Sequence, residues 1–311
     1  MNRSKHFFMN TLQFKNKICL VTGASSGIGK ALSQKLNSLG AIVILTARNR
    51  ENLEMVKANC QYPDKIRILT CDMEELKTID SFATEAWNIF HTIDFVFLNA
   101  GMAIRDMVHL TDLDMVYKVM NVNFFSQVAL SKALLTFMRE KKHGHFIVTS
   151  SLCGKFGVPK LSAYSASKHA LHGFFESLRA EYEEDGINVT MITAGLVKTD
   201  ITVHALKGNG TINGKMQASV AGGISPEACA QKIVQAVAAG KYDALVGGIE
   251  KYSVLVKRFF PGLLRMVIAH HPMRKLRNAG FLPKPSLSVA GSTNLHRTNM
   301  HAVADFVPVG R

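Results

Sequence analysis

The feature that most constrains this chain is an alternation. Short apolar, β-branched runs recur through the first 250 residues, separated by longer stretches whose apolar residues return at helical spacing. Residues 18–21, 42–45, 66–69, 95–98, 146–148, 189–192 and 244–246 read as strands. Unbroken runs of this kind suit strands covered on both faces, as in a parallel sheet flanked by helices. Residues 29–39, 52–59, 76–90, 115–140, 163–182 and 226–239 read as the helices between them. Strand and helix in strict alternation predict an α/β domain with a doubly wound sheet and helices on both faces. Two regions break the rhythm. Residues 197–224 contain the Gly/Asn/Thr-rich segment GNGTING and read as a long mobile loop. Residues 283–311 read as a poorly ordered tail. The organisation expected is therefore an N-terminal segment 1–14, an α/β domain 15–250, a basic amphipathic extension 251–282 and the tail.

Hydrophobic residues make up 47% of the chain and charged ones 19%, which favours a packed core over disorder. The net charge of +14 is unevenly placed: residues 251–311 hold ten Lys/Arg and a single acid, Asp305, and so carry +9 of it. The domain itself is only mildly basic and lacks the basic and aromatic stripe of a nucleic-acid surface, so no nucleic-acid partner is expected. Five scattered cysteines without paired spacing suggest neither a disulfide framework nor a metal knuckle, and no metal is expected. The first seventeen residues are too polar for a secretory signal, and no run reaches the roughly 20 apolar residues of a membrane span. A cytoplasmic protein is expected, with the inner membrane face as an alternative site.

After the first strand stand Thr22, Gly23, Ala24, Ser25, Ser26, Gly27, Ile28 and Gly29. Glycines at such a strand-to-helix turn let backbone approach a pyrophosphate seated on the helix N-terminus. An ordinary glycine-rich turn is the alternative. At the end of the second strand come Thr46, Ala47 and Arg48, with no acid where a ribose 2′-hydroxyl would need one. A guanidinium suits a 2′-phosphate, so NADP(H) is expected ahead of NAD(H). Arg50 reads as a solvated residue at a helix start. Further on, Tyr164 and Lys168 lie four apart and share a helix face, with Ser151 thirteen positions upstream. A cation beside a phenol favours its ionised form and brings its pKa of about 10 toward the working range of a general acid/base.

Taken together, these motifs resemble the short-chain dehydrogenase/reductase family, in its TGxxxGxG branch, over residues 15–250. The resemblance also rests on Asp72, on Asn99-Ala100-Gly101, on Asn123 and on the Tyr164-Ser-Ala-Ser-Lys168 run. It implies a Rossmann sheet of about seven strands, hydride exchange with a nicotinamide, and an Asn123, Ser151, Tyr164, Lys168 tetrad. In that scheme Tyr164 is the general acid/base and Ser151 orients the substrate oxygen. Lys168 binds the nicotinamide ribose and lowers the Tyr164 pKa, while Asn123 holds a water of the proton relay. Asp72 and Met73 are implied at the adenine, and Asn99, Ala100 and Gly101 brace the cofactor. Gly195, Val197 and Thr199 face the carboxamide. Ala194 stands where the family usually has proline, and a looser turn is expected there. Leu152, Phe156 and Leu161, by family position, line the substrate side, with core packing as the alternative.

Within the family the sequence is most similar to the dehydrogenase/reductase member 7B group and, more distantly, to the 11β-hydroxysteroid dehydrogenases. Those relatives imply a hydrophobic, lipid- or steroid-like carbonyl or alcohol and a membrane-associated life. No apolar anchor precedes the first strand, and an anchor-free relative, a homodimer or tetramer, is expected. In the extension, Pro261 suits a first helical turn, and Leu263, Leu264, Val267 and Ile268 form one stripe flanked by Lys257, Arg258 and Arg265. This is the pattern of a helix lying in an anionic membrane interface, with packing on the enzyme or on a second subunit as the alternative. A soluble 3-oxoacyl-type reductase is a second enzymatic reading, and a cofactor-binding regulator without turnover is the non-enzymatic one. The extension speaks against the former, and the intact Ser151, Tyr164 and Lys168 against the latter.

Overall fold

The structure, a computed structural model, describes residues 12–269. Seven strands form one parallel sheet: β1 (Ile18–Thr22), β2 (Ile42–Thr46), β3 (Ile66–Ile68), β4 (Phe95–Leu98), β5 (Gly144–Ser151), β6 (Ile187–Ala194) and β7 (Asp243–Val246). Their order is β3-β2-β1-β4-β5-β6-β7, all parallel neighbours. The expected doubly wound Rossmann sheet is thus present. Its strand order reverses between β1 and β4, where ligands bind in open α/β sheets, outside the carboxyl ends of the strands.

Helices follow the strands as α1 (Gly27–Ser38), α2 (Arg50–Ala58), α3 (Ile79–Asn88), α4 (Leu113–Met120), α5 (Ser126–Lys141), α6 (Ser162–Tyr182), α7 (Ala218–Ala221) and α8 (Pro226–Ala238). Side chains alternate across the sheet with the period of two that strands impose. Cys19, Val21, Val43 and Leu45 join Leu32 and Leu36 of α1, Leu53 of α2 and Ile233 of α8 in one core. Leu20, Ile44, Val96, Leu98, Phe146 and Val148 join Phe82 of α3, Leu134 of α5 and Phe175 of α6 in the other. Both faces are buried, which explains why the strand runs read as continuously apolar.

Two sequence expectations need correction. The stretch 115–140 is not one α-helix: between α4 and α5 the chain widens into a π-turn over Asn121–Phe125. Residues 197–224 are not a bare loop. Val197 bridges Ile224, Leu206 bridges both Ile104 and Ile212, and a 3-10 turn (Asp200–Thr202) and α7 lie within the segment. Backbone bonds from Leu206 to Ala103 (3.0 Å) and from Arg105 to Leu206 (2.9 Å) stitch it to the chain after β4. The extension starts with a 3-10 turn (Ile249–Tyr252) and continues as α9 (Ser253–Phe259) and α10 (Pro261–Ala269), with Pro261 first in its helix as expected. The rest of the extension, the expected tail and residues 1–11 lie outside the described residues. All five cysteines are buried and free. No helix among the described residues is long and apolar enough to cross a membrane.

Candidate active site

At the carboxyl end of β1 the chain turns through Gly23 (φ 64°) and Gly27 (φ 52°), left-handed conformations that favour glycine. A side chain on Gly29 would collide with the Gly23 carbonyl, and one on Gly23 would place its Cβ 2.9 Å from Ala100 Cα. This turn therefore nests against the end of β4. Thr22 ties the two strand ends: its buried Oγ1 accepts the N–H of Asn99 and of Ala100, both at 3.0 Å, and donates to the Phe97 carbonyl at 3.3 Å. Asn99 Nδ2 returns a bond to the Thr22 carbonyl at 3.2 Å. Helix α1 then opens at Gly27 after Ser26, whose side chain makes no capping bond, with Ser25 half-buried beside it. The N–H groups of Gly27, Ile28 and Gly29 thus have no side-chain cap, and bare glycine backbone surrounds them. Such a cradle fits a dinucleotide pyrophosphate.

At the end of β2, Arg48 is exposed, its guanidinium 3.9 Å from the Asp72 carboxylate. Asp72 Oδ1 also accepts the Glu74 N–H at 3.0 Å, and Met73 beside it is buried. Arg50 opens α2 and pairs with Glu54 one turn on, the solvated helix-start role expected of it.

The reactive groups gather at the end of β5. Ser151 is the last residue of that strand, and its hydroxyl accepts the Cys153 N–H at 3.2 Å. Tyr164 and Lys168 lie one turn apart on α6, with the Lys168 ammonium 5.9 Å from the Tyr164 ring centre. Lys168 is buried and donates to the Thr149 carbonyl at 2.8 Å. Burial lowers its pKa to about 8. Burial pushes the Tyr164 phenol well above its usual value, the Cys153 thiol adds to this, and the Ser151 hydroxyl opposes it. With its pKa raised in this way, the phenol keeps its proton at neutral pH.

Asn123 sits inside the π-turn, fully buried. Its Nδ2 donates to the Met102 carbonyl and to Ser167 Oγ, both at 2.9 Å, while Oδ1 accepts the Met102 N–H at 2.8 Å. Both amide hydrogens are thus engaged in joining the chain after β4 to α6. Gly101 lies between them: a Cβ there would meet Asn123 Oδ1 at 3.2 Å and Lys168 Nζ at 3.5 Å. Gln127, one turn after Asn123, donates to the Ala100 carbonyl at 2.8 Å and braces the same loop. Sequence reasoning passed over Gln127, although its i, i+4 spacing from Asn123 was the available signal.

The end of β6 completes the site. Gly195 N–H donates to the Val246 carbonyl at 2.7 Å, Leu196 N–H to Glu250 Oε1 at 2.9 Å, and Lys198 N–H to the Ile224 carbonyl at 2.9 Å. The turn after Ala194 is therefore tied down, not loose; the bonds come from outside it and do not depend on a proline. Thr199 reaches back to the glycine turn, where a Cβ on Gly27 would come within 3.1 Å of its methyl. Val197 is buried beside it. On the opposite side, Leu152 is buried under the turn after Ser151, whereas Phe156 and Leu161 keep partial exposure. A separate trio, His172, Glu176 and Asp243, offers ligand atoms close together. Lys155 Nζ already lies 3.1 Å from His172 Nδ1, and Arg179 lies 3.6 Å from Asp243.

A family model described as short chain dehydrogenase matches residues 17–209, which span every one of these strand-end elements up to the Thr199 turn. The chain belongs to the short-chain dehydrogenase/reductase family. A curated Drosophila melanogaster relative, dehydrogenase/reductase SDR family protein 7-like, is 37% identical over 86% of this chain and 83% of its own length. Dehydrogenase/reductase SDR family member 7B of Mus musculus is 34% identical over 85% of this chain and 84% of its own. Family members of known structure share the fold. One from Burkholderia phymatum, in complex with NAD, superimposes with a TM-score of 0.70 at 19% identity, over 80% of this chain and 95% of its own. One from Burkholderia cenocepacia, in complex with NADP, gives 0.69 at 19% identity, over 82% and 98%.

Proposed function

We propose that this short-chain dehydrogenase/reductase is an NADP(H)-dependent carbonyl reductase interconverting a carbonyl and a secondary alcohol. The observation that carries the reading is the convergence of Ser151, Tyr164 and the buried Lys168, the first two half-buried, in a domain whose first helix opens on an uncapped, glycine-lined N-terminus. Thr22, Gly23, Ser25, Ser26, Gly27, Ile28 and Gly29 would hold the pyrophosphate. Asp72 and Met73 would contact the adenine, Asn99, Ala100 and Gly101 would brace the cofactor, and Gly195, Val197 and Thr199 would face the nicotinamide. When bound, the nicotinamide supplies or accepts the hydride.

Ser151 donates to the substrate oxygen and fixes its direction. Tyr164, protonated at neutral pH, gives its phenolic proton to that oxygen in reduction and accepts one in oxidation. Lys168, charged below about pH 8, stabilises the phenolate left behind. Asn123 holds Gly101 and α6 in register around that ammonium, and a water near its backbone completes the relay. An exposed guanidinium at Arg48, with no carboxylate at the end of β2, favours the 2′-phosphate of NADP(H) over NAD(H). Phe156 and Leu161 offer apolar surface to a hydrophobic, lipid- or steroid-like substrate, and a homodimer or tetramer is the expected assembly.

Tyr164→Phe tests the core of this reading. Turnover of a carbonyl that the parent reduces should fall by roughly 10²–10⁴-fold, with NADPH binding retained by fluorescence titration. Near-parental turnover would remove Tyr164 from the role.

The extension supports peripheral attachment to an anionic lipid surface. The apolar stripe read from the sequence divides in the structure. Leu264 turns inward, whereas Phe259, Phe260, Leu263, Met266 and Val267 remain exposed, with Lys257, Arg258 and Arg265 interspersed. Apolar side chains among cations match a headgroup layer of negative charge. Co-sedimentation with phosphatidylserine-containing vesicles at low salt, and not with neutral ones, is the expected outcome. Failure to sediment with either would assign this face to a subunit contact.

A further inference from the structure

Glu250 lies outside the proton-transfer set and outside every glycine motif, in the 3-10 turn that opens the extension. Its carboxylate reaches back beneath the end of β6. Oε1 accepts the N–H of Leu196 and of Gly248, each at 2.9 Å. Three glycines make room for it: a side chain on Gly195 would collide with Oε1, and a Cβ on Gly247 or on Gly248 would stand 2.6 Å from a carboxylate oxygen. Lys232 of α8 closes the same corner by donating to the Gly247 carbonyl at 3.0 Å. Although burial pushes the Glu250 carboxyl up, the N–H bonds and the Lys232 charge bring it below the usual carboxylate range, so the anion is the resident form. Seven residues on, Lys257 of α9 donates to the Lys155 carbonyl, which ends the 3-10 turn following Ser151. The beginning of the extension therefore grips loops on both sides of the site.

We propose that Glu250 is a positioning residue whose carboxylate fixes the 195–199 turn in the conformation that receives the nicotinamide half of the cofactor. The inference rests on the reading of that turn as a cofactor contact. An anionic acceptor makes bonds roughly twice as strong as a neutral one, and Glu250→Gln preserves shape and one acceptor oxygen while removing the charge. Glu250→Ala removes both.

Hydrogen exchange of the Leu196 amide, measured without cofactor, should quicken about tenfold in Glu250→Gln and more in Glu250→Ala, with the β4 and β5 amides unchanged. The NADPH Kd by fluorescence titration should weaken by about three- to tenfold in Glu250→Gln, and the KM for NADPH should rise with it while kcat stays within about twofold. A Leu196 exchange rate and an NADPH Kd equal to those of the parent would overturn the proposal. A uniform quickening across the sheet with unchanged Kd would also overturn it, since that is what a merely structural role gives. A parent that binds no NADPH would remove the cofactor reading and this inference together, whereas normal binding in all three proteins would remove this inference alone.

Discussion

Replacing Thr22 with Val keeps nearly the shape of the side chain while deleting the oxygen on which the β1 and β4 ends converge. That oxygen accepts two backbone N–H groups, from Asn99 and Ala100, each at 3.0 Å, and Thr22 is 1% exposed. Each buried donor left without a partner costs about 1–3 kcal/mol. Ala100 is buried and its N–H would bear the full penalty, whereas Asn99 is half-buried and its N–H regains part of its loss from water. The lost donation to Phe97, at 3.3 Å, is long and adds little. The sum is about 2–4 kcal/mol, and for a domain of this size the melting temperature should fall by roughly 5–12 °C. Thermal melts followed by far-ultraviolet circular dichroism at fixed pH measure it. Thr22→Ser retains the oxygen and loses only a methyl group, so it should cost about 1 kcal/mol. If Val at this position is as stable as the parent to within about 0.5 kcal/mol, or if Ser is as damaging as Val, the hydroxyl is not the tie described and the reasoning fails.

Lys168 predicts an alkaline limb: with its pKa lowered to about 8 by burial, raising the pH through that value strips the ammonium, and kcat/KM for carbonyl reduction should decline there. Lys168→Arg should displace that limb upward, because a guanidinium stays charged; an unshifted limb would assign it to another group. Cofactor choice is tested by combining Ala47→Asp with Arg48→Gln, which should move the ratio of NADPH to NADH affinity toward NADH by about tenfold or more. If the parent already binds NADH as tightly as NADPH, Arg48 has no such role.

The centres of the strands were legible because burial on both faces leaves an apolar signature. Their ends were not: β5 runs on through the buried Thr149 and Ser150 to the half-buried Ser151, and β6 through the buried Thr193, polar residues that continue the ladder. The glycine turn was legible for a related reason, since Gly23 and Gly27 hold backbone angles few other residues accept. Tyr164 and Lys168 announced themselves by helical spacing, but the direction of the Tyr164 shift did not. It depends on how deeply α6 buries the phenol, a property of packing and not of spacing. Glu250 and Gln127 escaped because an acid in a turn and an amide in a helix are everyday residues. Only folding brings one under β6 and the other against Ala100. The segment 197–224 looked shapeless because bridges such as Leu206 to Ile104 join residues a hundred positions apart.

The π-turn at Asn121–Phe125 acts as a phase shifter. Each α-helical residue advances the chain by about 100° around the axis, and a single wide turn of this kind resets that rotation by most of one residue's step. Val119 of α4 can thereby face Ile104 and Ala163 in a small satellite core, while Leu130, Leu134 and Met138 of α5 face the sheet. Asn123, at the point of the shift, looks into the site. A chain built this way tolerates exchange of one side chain for another along α4 and α5 far better than it tolerates a change in their length. Removing one residue between 121 and 125 would let an ordinary helix form without a break and would swing either the satellite core or the Asn123 amide, with its bonds to Met102 and Ser167, out of alignment, so that the most regular version of this helix would be the one that fits this fold least.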